Sequence, residues 1–157
     1  MDNAHKIGIS FGLTSAVITT LGLMAGLEAG TGSKGAVVAG ILTIAIADAF
    51  SDALGVHLAK ESEGNFKSGQ VWQATLATFG YKLLFALTFL VPAIFLESPW
   101  SLYVAIAWGA LILTVLNINI AKTNGERIAK VLGEHLGIAA AVVIISHLAG
   151  KAIASLF

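Results

Sequence analysis

Residues 36–58 read AVVAGILTIAIADAFSDALGVHL, a run of 23 in which only Asp48 and Asp52 are fully charged. At about 1.5 Å of rise per residue, a helix of this length crosses a hydrocarbon core of about 30 Å. The run is too long for a strand and too apolar for a helix with a water-facing side, so it reads as a membrane span. Four further segments read the same way: 7–27, 71–96, 102–121 and 131–153. The breaks between them carry charges or turn formers: 28–35 is glycine-rich, 60–69 and 122–130 are charged, and 97–99 ends in a proline. Breaks this short hold neighbouring helices antiparallel. The expected fold is therefore all-α, a single domain over 1–157 built as a bundle of five transmembrane helices. The first apolar stretch exceeds the core of a secretory leader, and it reads as a retained first helix.

Composition points the same way. Of 157 residues 57% are hydrophobic and 11% charged, with a mean hydropathy of +0.87, whereas soluble domains carry about 25% charged residues. Nine Lys plus Arg balance nine Asp plus Glu without a basic run, so the lipid bilayer is the expected partner and nucleic acid is not. With no cysteine, disulfides, thiolate metal sites and cysteine nucleophiles are excluded. The run Gly30, Thr31, Gly32, Ser33 follows no strand and lacks the Gly-Lys-Ser/Thr of a phosphate loop. No Ser/His/Asp arrangement has a supporting context, and an enzyme is not expected.

The cationic residues suggest an orientation. Lys6, Lys60, Lys67, Lys122, Arg127 and Lys130 fall on the amino-terminal side of the bundle, and Lys34 and Lys151 on the other. The excess places the amino terminus in the cytoplasm, within the cell membrane if the source is prokaryotic. Trp72, Trp100 and Tyr103 lie near span ends, as interfacial anchors do. Pro92 is expected to kink the third helix. An odd number of spans fits no simple duplication, and no internal repeat stands out.

Charges inside the spans are the candidate functional residues, because a carboxylate at the bilayer centre costs about 2.5–3.5 kcal/mol on insertion scales. Four residues apart, Asp48 and Asp52 share one helix face, flanked by Ser51 and Gly55. Paired hard oxygens at this spacing can hold a divalent cation or share a proton. Lys82 lies at a similar depth in the third span, so an Asp48–Lys82 pair is geometrically open to it. That pair can be structural, leaving Asp52 as the free acid, or it can be a coupling switch in which an entering cation displaces the ammonium. His57, Glu61 and Glu63 follow at the end of the second span and can either gather cations or be merely solvated. Ser15, Thr19 and Ser51 are candidates for lining a cation path, although hydroxyls in helices also bond back to their own backbone. Asn117, Asn119 and His147 read as contacts between helices. The first span carries Gly8, Gly12, Ser15, Thr19, Gly22 and Gly26 three or four apart. Such a stripe allows close backbone approach, either within the chain or along a two-fold subunit seam.

Several stretches together resemble the vacuolar iron transporter family. Ala39-Gly40 followed by Ala47-Asp48-Ala49-Phe50-Ser51-Asp52-Ala53-Leu54-Gly55-Val56-His57 is similar to that family's second-helix pattern of Ala-Gly and Ala-Gly-Ala-x-Ser-Met-Ala-x-Gly-Glu-Tyr. Gly12-Leu13-Thr14 with Gly22 or Gly26 resembles its first helix. Ala74-Thr75-Leu76-Ala77 through Pro92 resembles its third, and Gly137 through Gly150 its last. The resemblance implies a five-helix homodimer joined through helix 1, with the amino terminus cytoplasmic. It also implies proton-coupled export of ferrous iron or manganese (Fe2+ or Mn2+) as substrate, with no permanently bound cofactor. Asp48 and Asp52 are then the metal ligands, but the match is not residue for residue. The family's first-helix Asp falls near Phe11 or Ser15, its second-helix Glu at Ile44, its Met at Asp52 and the Gly one turn earlier at Asp48. Residues 60–69 are too few for its cytoplasmic metal-gathering helices. A site of carboxylates without the thioether is harder and suits manganese or ferrous iron better than copper.

Overall fold

The computed structural model describes residues 3–156. They form α1 (Asn3–Thr31), α2 (Lys34–Ser62), α3 (Ser68–Thr88), α4 (Leu90–Phe95), α5 (Trp100–Asn124) and α6 (Ile128–Leu156), with no strand among the described residues. The last two helices of the third span act as one, Ser68–Phe95, so five helices are long and apolar enough to cross a membrane. Every helix overruns the apolar segment read from the sequence, save at the end of the third span, where the helix stops at Phe95, one residue short of it. Hydrophobicity marks only the part that suits hydrocarbon, while backbone hydrogen bonding continues into the polar ends. At α2 the start is fixed by Ser33, whose Oγ accepts from the Ala36 N–H at 3.2 Å, an N-cap that satisfies one of the free first-turn donors. Gly125 closes α5 at φ 69°, a left-handed conformation that suits glycine.

The expected kink in the third span falls at Phe89, three residues before Pro92. Proline supplies no N–H and its ring crowds the carbonyl four residues back. That carbonyl belongs to Thr88, the last residue of α3. The Thr88 hydroxyl accepts from Trp108 Nε1 at 2.9 Å, tying the bend to α5.

Side-chain neighbours fix the helix directions. A Cβ on Gly40 would meet Leu27 and Leu23, and Ser15 reaches Asp52, so α1 and α2 run antiparallel. Gly8 lies against Ala74 and Gly12 against Thr78 and Lys82, so α1 and α3 run parallel. Likewise Gly22 lies against Val142, Gly26 against Ser146 and Gly30 against Gly150, so α1 and α6 run parallel. In consequence α1 is the central helix, packed on α2, α3, α5 and α6. Its glycine stripe is used inside the chain: a Cβ at Gly8 would sit 2.4 Å from the Ala74 carbonyl oxygen, and one at Gly150 2.2 Å from that of Gly26. Gly8, Gly12, Gly22 and Gly26 thus each have a neighbour within the chain. One open small-residue face lies on α2, where Thr43, Ala47, Ser51, Gly55 and Ala59 recur every fourth residue and are exposed; α6 has a shorter one in Gly133, Gly137 and Ala141.

The main core lies where α1, α2, α4 and α5 meet, around Val17, Leu21, Met24, Ile41, Phe89 and Leu113. The charges sit apart from it, in the seam of α1, α2 and α3.

Candidate functional site

Each of three helices contributes from near its middle. Asp48 is the central residue of α2, Lys82 lies at the centre of the third span, and Ser15 lies two residues from the centre of α1. Lys82 is buried among small residues of α1, because Gly12 lets the α3 backbone approach until the Lys82 nitrogen lies 3.2 Å from where a Cβ would stand.

The Lys82 ammonium takes both acids, not Asp48 alone. Its Nζ lies 2.5 Å from Asp48 Oδ2, donates to Ser15 Oγ at 2.6 Å and donates to Asp52 Oδ2. Ser15 Oγ in turn donates to the same Asp52 oxygen at 2.6 Å. Lysine, serine and Asp52 thus form a closed triangle in which every donor is aligned. The Asp48 contact differs. Its Oδ2 is buried and has no aligned hydrogen-bond partner, so this contact is one of charge alone. No acid is left free by the lysine, which corrects the expectation that an Asp48–Lys82 pair would spare Asp52. The antiparallel packing of α2 and α3 sets the ammonium between two acids one helical turn apart, about 6 Å along the axis.

The cluster is not sealed. Lys82 is 1% exposed, but the side chains of Asp48 and Asp52 are 25% and 18% exposed. Asp48 lines a groove of about 500 Å³ with Leu23, Gly40, Thr43, Ile44, Ala47 and Ser51. The triangle on Asp52 is therefore the closed half of the site, and Asp48 is the half that opens sideways through the α2 face.

The remaining candidates lie elsewhere. Thr19 donates to the Ser15 carbonyl at 2.8 Å, which turns its hydroxyl onto its own helix. Ser51 is exposed beside Asp48. His57 sits in the α2–α3 seam, edge-on to Trp72, with Nδ1 3.0 Å from Thr75 Oγ1. That hydroxyl already donates to the Val71 carbonyl at 2.8 Å, so it accepts from His57 and leaves Nε2 as the basic nitrogen. Glu63 ends α2 and pairs with Lys60 at 2.6 Å, while Glu61 is exposed. Along the helix His57 is about 7.5 Å from Asp52, so the three end residues stand apart from the cluster.

A second polar pair joins α5 to α6. Asn117 is fully buried, and its Oδ1 lies 2.5 Å from His135 Nδ1. Its Nδ2 has no partner among the described residues. Asn117 was expected as a contact between helices, but His135 escapes a sequence reading because it follows a charged turn and looks solvated. Asn119 instead bonds the Val115 carbonyl of its own helix. At the other end of the bundle, Ser98 and Ser101 donate to Glu28, and Lys34 pairs with Glu97 at 2.9 Å.

Among the described residues no group of three or more His, Cys, Asp or Glu converges as a metal ion would need. Comparison with protein-family models, with curated proteins and with solved structures finds no match.

Proposed function

We propose that the chain is a divalent-cation transporter in which ferrous iron or manganese and the Lys82 ammonium compete for Asp48 and Asp52. The observation that carries the reading is the unequal hold on the two acids: Asp52 is locked by aligned bonds, whereas Asp48 touches the ammonium by charge alone and faces an open groove. An arriving cation meets Asp48 first, and Ser51, Ser15 and water supply further hard oxygens.

Charge balance gives the coupling. Two carboxylates and one ammonium leave one negative charge in excess at midspan, and one bound proton neutralises it. A divalent ion that displaces that proton and one from the ammonium leaves two carboxylates, a neutral amine and the metal, again without net charge. The exchange is then one divalent ion against two protons, with no separate proton relay. With the amino terminus cytoplasmic, as the cationic residues suggest, it exports metal from the cytoplasm.

The homodimer belongs to this proposal, moved from helix 1 to the α2 face. A second copy packed on Thr43, Ala47, Ser51, Gly55 and Ala59 covers a midspan carboxylate that would otherwise face lipid at a cost of about 2.5–3.5 kcal/mol. It also brings a second pair of acids to the same seam.

The test is manganese flux in proteoliposomes under a proton gradient. Asp52→Asn abolishes flux in a protein that still folds, and wild-type metal affinity rises with pH because binding releases protons. Unchanged flux in Asp52→Asn refutes the reading. One observation favours a second reading: the ammonium already fills the space between the acids. Lys82 is then a coupling switch for another solute, in a transporter or channel. In that case manganese and ferrous iron give no thermal stabilisation beyond that of magnesium or calcium.

A further inference from the structure

Asp48 and Asp52 are the same residue type, one turn apart on α2, and both lie against the Lys82 ammonium. Only Asp52 receives aligned hydrogen bonds, and the difference comes from α1. The antiparallel register that brings Ser15 to Asp52 also brings Leu27 to Gly40. One turn on along α1 and one turn back along α2, it sets Thr19 level with Asp48. Each acid therefore has a hydroxyl of α1 at its own height, and the two hydroxyls are used differently. Thr19 donates to the Ser15 carbonyl at 2.8 Å, the bond back to its own helix that a threonine can make. Ser15 turns outward instead: its Oγ donates to Asp52 Oδ2 at 2.6 Å and accepts from Lys82 Nζ at 2.6 Å. Asp48 Oδ2 is buried without an aligned donor among the described residues.

We infer that Ser15 is a positioning residue: its hydroxyl holds the Lys82 ammonium on Asp52 and so keeps Asp48 unclaimed. An ammonium carries three hydrogens in fixed tetrahedral directions. One is committed to Ser15 and one to Asp52. The two bonds hold Nζ where it makes no aligned bond to Asp48, although the two atoms are 2.5 Å apart. The serine also closes the triangle, because the bond it accepts from the ammonium strengthens the one it donates to Asp52. Without that hydroxyl the ammonium is free to shift along α2 and to bond Asp48 as well. This placement of the lysine stands by itself, whereas its consequence rests on the transport reading above, in which an entering cation meets Asp48 first. A lysine bonded to Asp48 would compete with the cation at that point, so Ser15 sets how tightly the cation is taken up.

Thermal unfolding in detergent tests the placement. With Ser15 present, Asp52→Asn lowers Tm more than Asp48→Asn does. In the Ser15→Ala background Asp48→Asn is expected to cost about 3 °C or more beyond its cost in wild type, since it then removes a bond that the lysine has made. Thr19→Val, which removes the other hydroxyl of the same helix, leaves the costs of both acid variants unchanged. Equal costs of Asp48→Asn with and without Ser15 overturn the inference. Manganese flux in proteoliposomes tests the consequence. Ser15→Ala is expected to raise KM about tenfold, the worth of one charge-assisted hydrogen bond, with kcat per folded molecule within about twofold. Ser15→Thr keeps the hydroxyl and the wild-type KM, and a Ser15→Thr chain that behaves as Ser15→Ala overturns the inference. So does a loss of kcat at unchanged KM in Ser15→Ala, which reports a serine that only supports the fold. Absence of manganese flux in the wild type refutes the transport reading alone, because the thermal series needs no metal.

Discussion

Replacing Lys82 with methionine keeps an unbranched side chain, one heavy atom shorter, and removes its charge. It leaves Asp48 and Asp52 facing one another in a seam where the lysine was 1% exposed. Removing one partner from a buried ion pair costs about 3–5 kcal/mol, because the remaining charge is uncompensated. For a chain of this length that lowers Tm by roughly 10 °C. Asp52→Asn weakens the acceptor of two aligned charge-assisted bonds, from Ser15 and Lys82, and costs about 2 kcal/mol. Asp48→Asn removes an unaligned contact and leaves lysine and Asp52 paired one to one. Its cost is below about 1 kcal/mol. The triple variant Asp48→Asn/Asp52→Asn/Lys82→Met has no buried charge left and recovers most of the loss. Thermal unfolding in detergent, followed by tryptophan fluorescence, measures the series. The reasoning fails if Asp48→Asn destabilises as much as Lys82→Met, or if Lys82→Met melts within a degree of wild type.

Asn117→Leu strands the His135 Nδ1–H between α5 and α6 and destabilises by about 1–2 kcal/mol, while Asn117→Leu/His135→Leu recovers most of that in the same melt. Glu97→Gln breaks an exposed pair with Lys34, at side-chain exposures of 82% and 42%, and shifts stability by less than about 0.5 kcal/mol. Gly12→Ala and Gly150→Ala each place a Cβ against backbone, 2.8 Å from the Thr78 oxygen and 2.2 Å from the Gly26 oxygen, and each costs about 1–3 kcal/mol. Only Gly12→Ala should also lower manganese flux beyond the loss of folded protein. Equal flux per folded molecule in the two variants counts against a link between helix spacing and the site.

The five spans were legible because each apolar run is long enough to cross a bilayer and is bounded by charges or turn formers. The helix ends were not, since Lys34 and Ser62 are polar and hydropathy stops short of them. Asp48, Asp52, Lys82 and Ser15 could each be picked out as polar residues at depth, yet their arrangement could not. Depth alone matched Lys82 to Asp48. That the ammonium sits between both acids depends on how α3 is rotated against α2, and period and spacing do not reveal rotation. The α1 glycines permitted two uses, and sequence cannot say which neighbour occupies a small-residue face. Only the registers of Gly8 with Ala74 and Gly30 with Gly150 assign that face to α3 and α6.

Small residues and charges, read separately from the sequence, act together in the fold. An ammonium held by two acids and a hydroxyl needs three helices close enough for side chains of fixed length to meet. In lipid no hydrophobic drive presses helices together, so close approach has to come from the absence of side chains. Gly12 provides it on the α1–α3 side, directly beside the Lys82 backbone. On the α1–α2 side Gly40 instead receives Leu23 and Leu27, which makes that contact one of side chains into a notch. The groove beside Asp48 is lined by two of these residues, Leu23 and Gly40. Side chains can change rotamer where backbones in contact cannot interpenetrate. On the proposed function, movement that admits a cation to Asp48 therefore belongs on the α2 side of α1, with α1 and α3 as the fixed pair that carries the lysine.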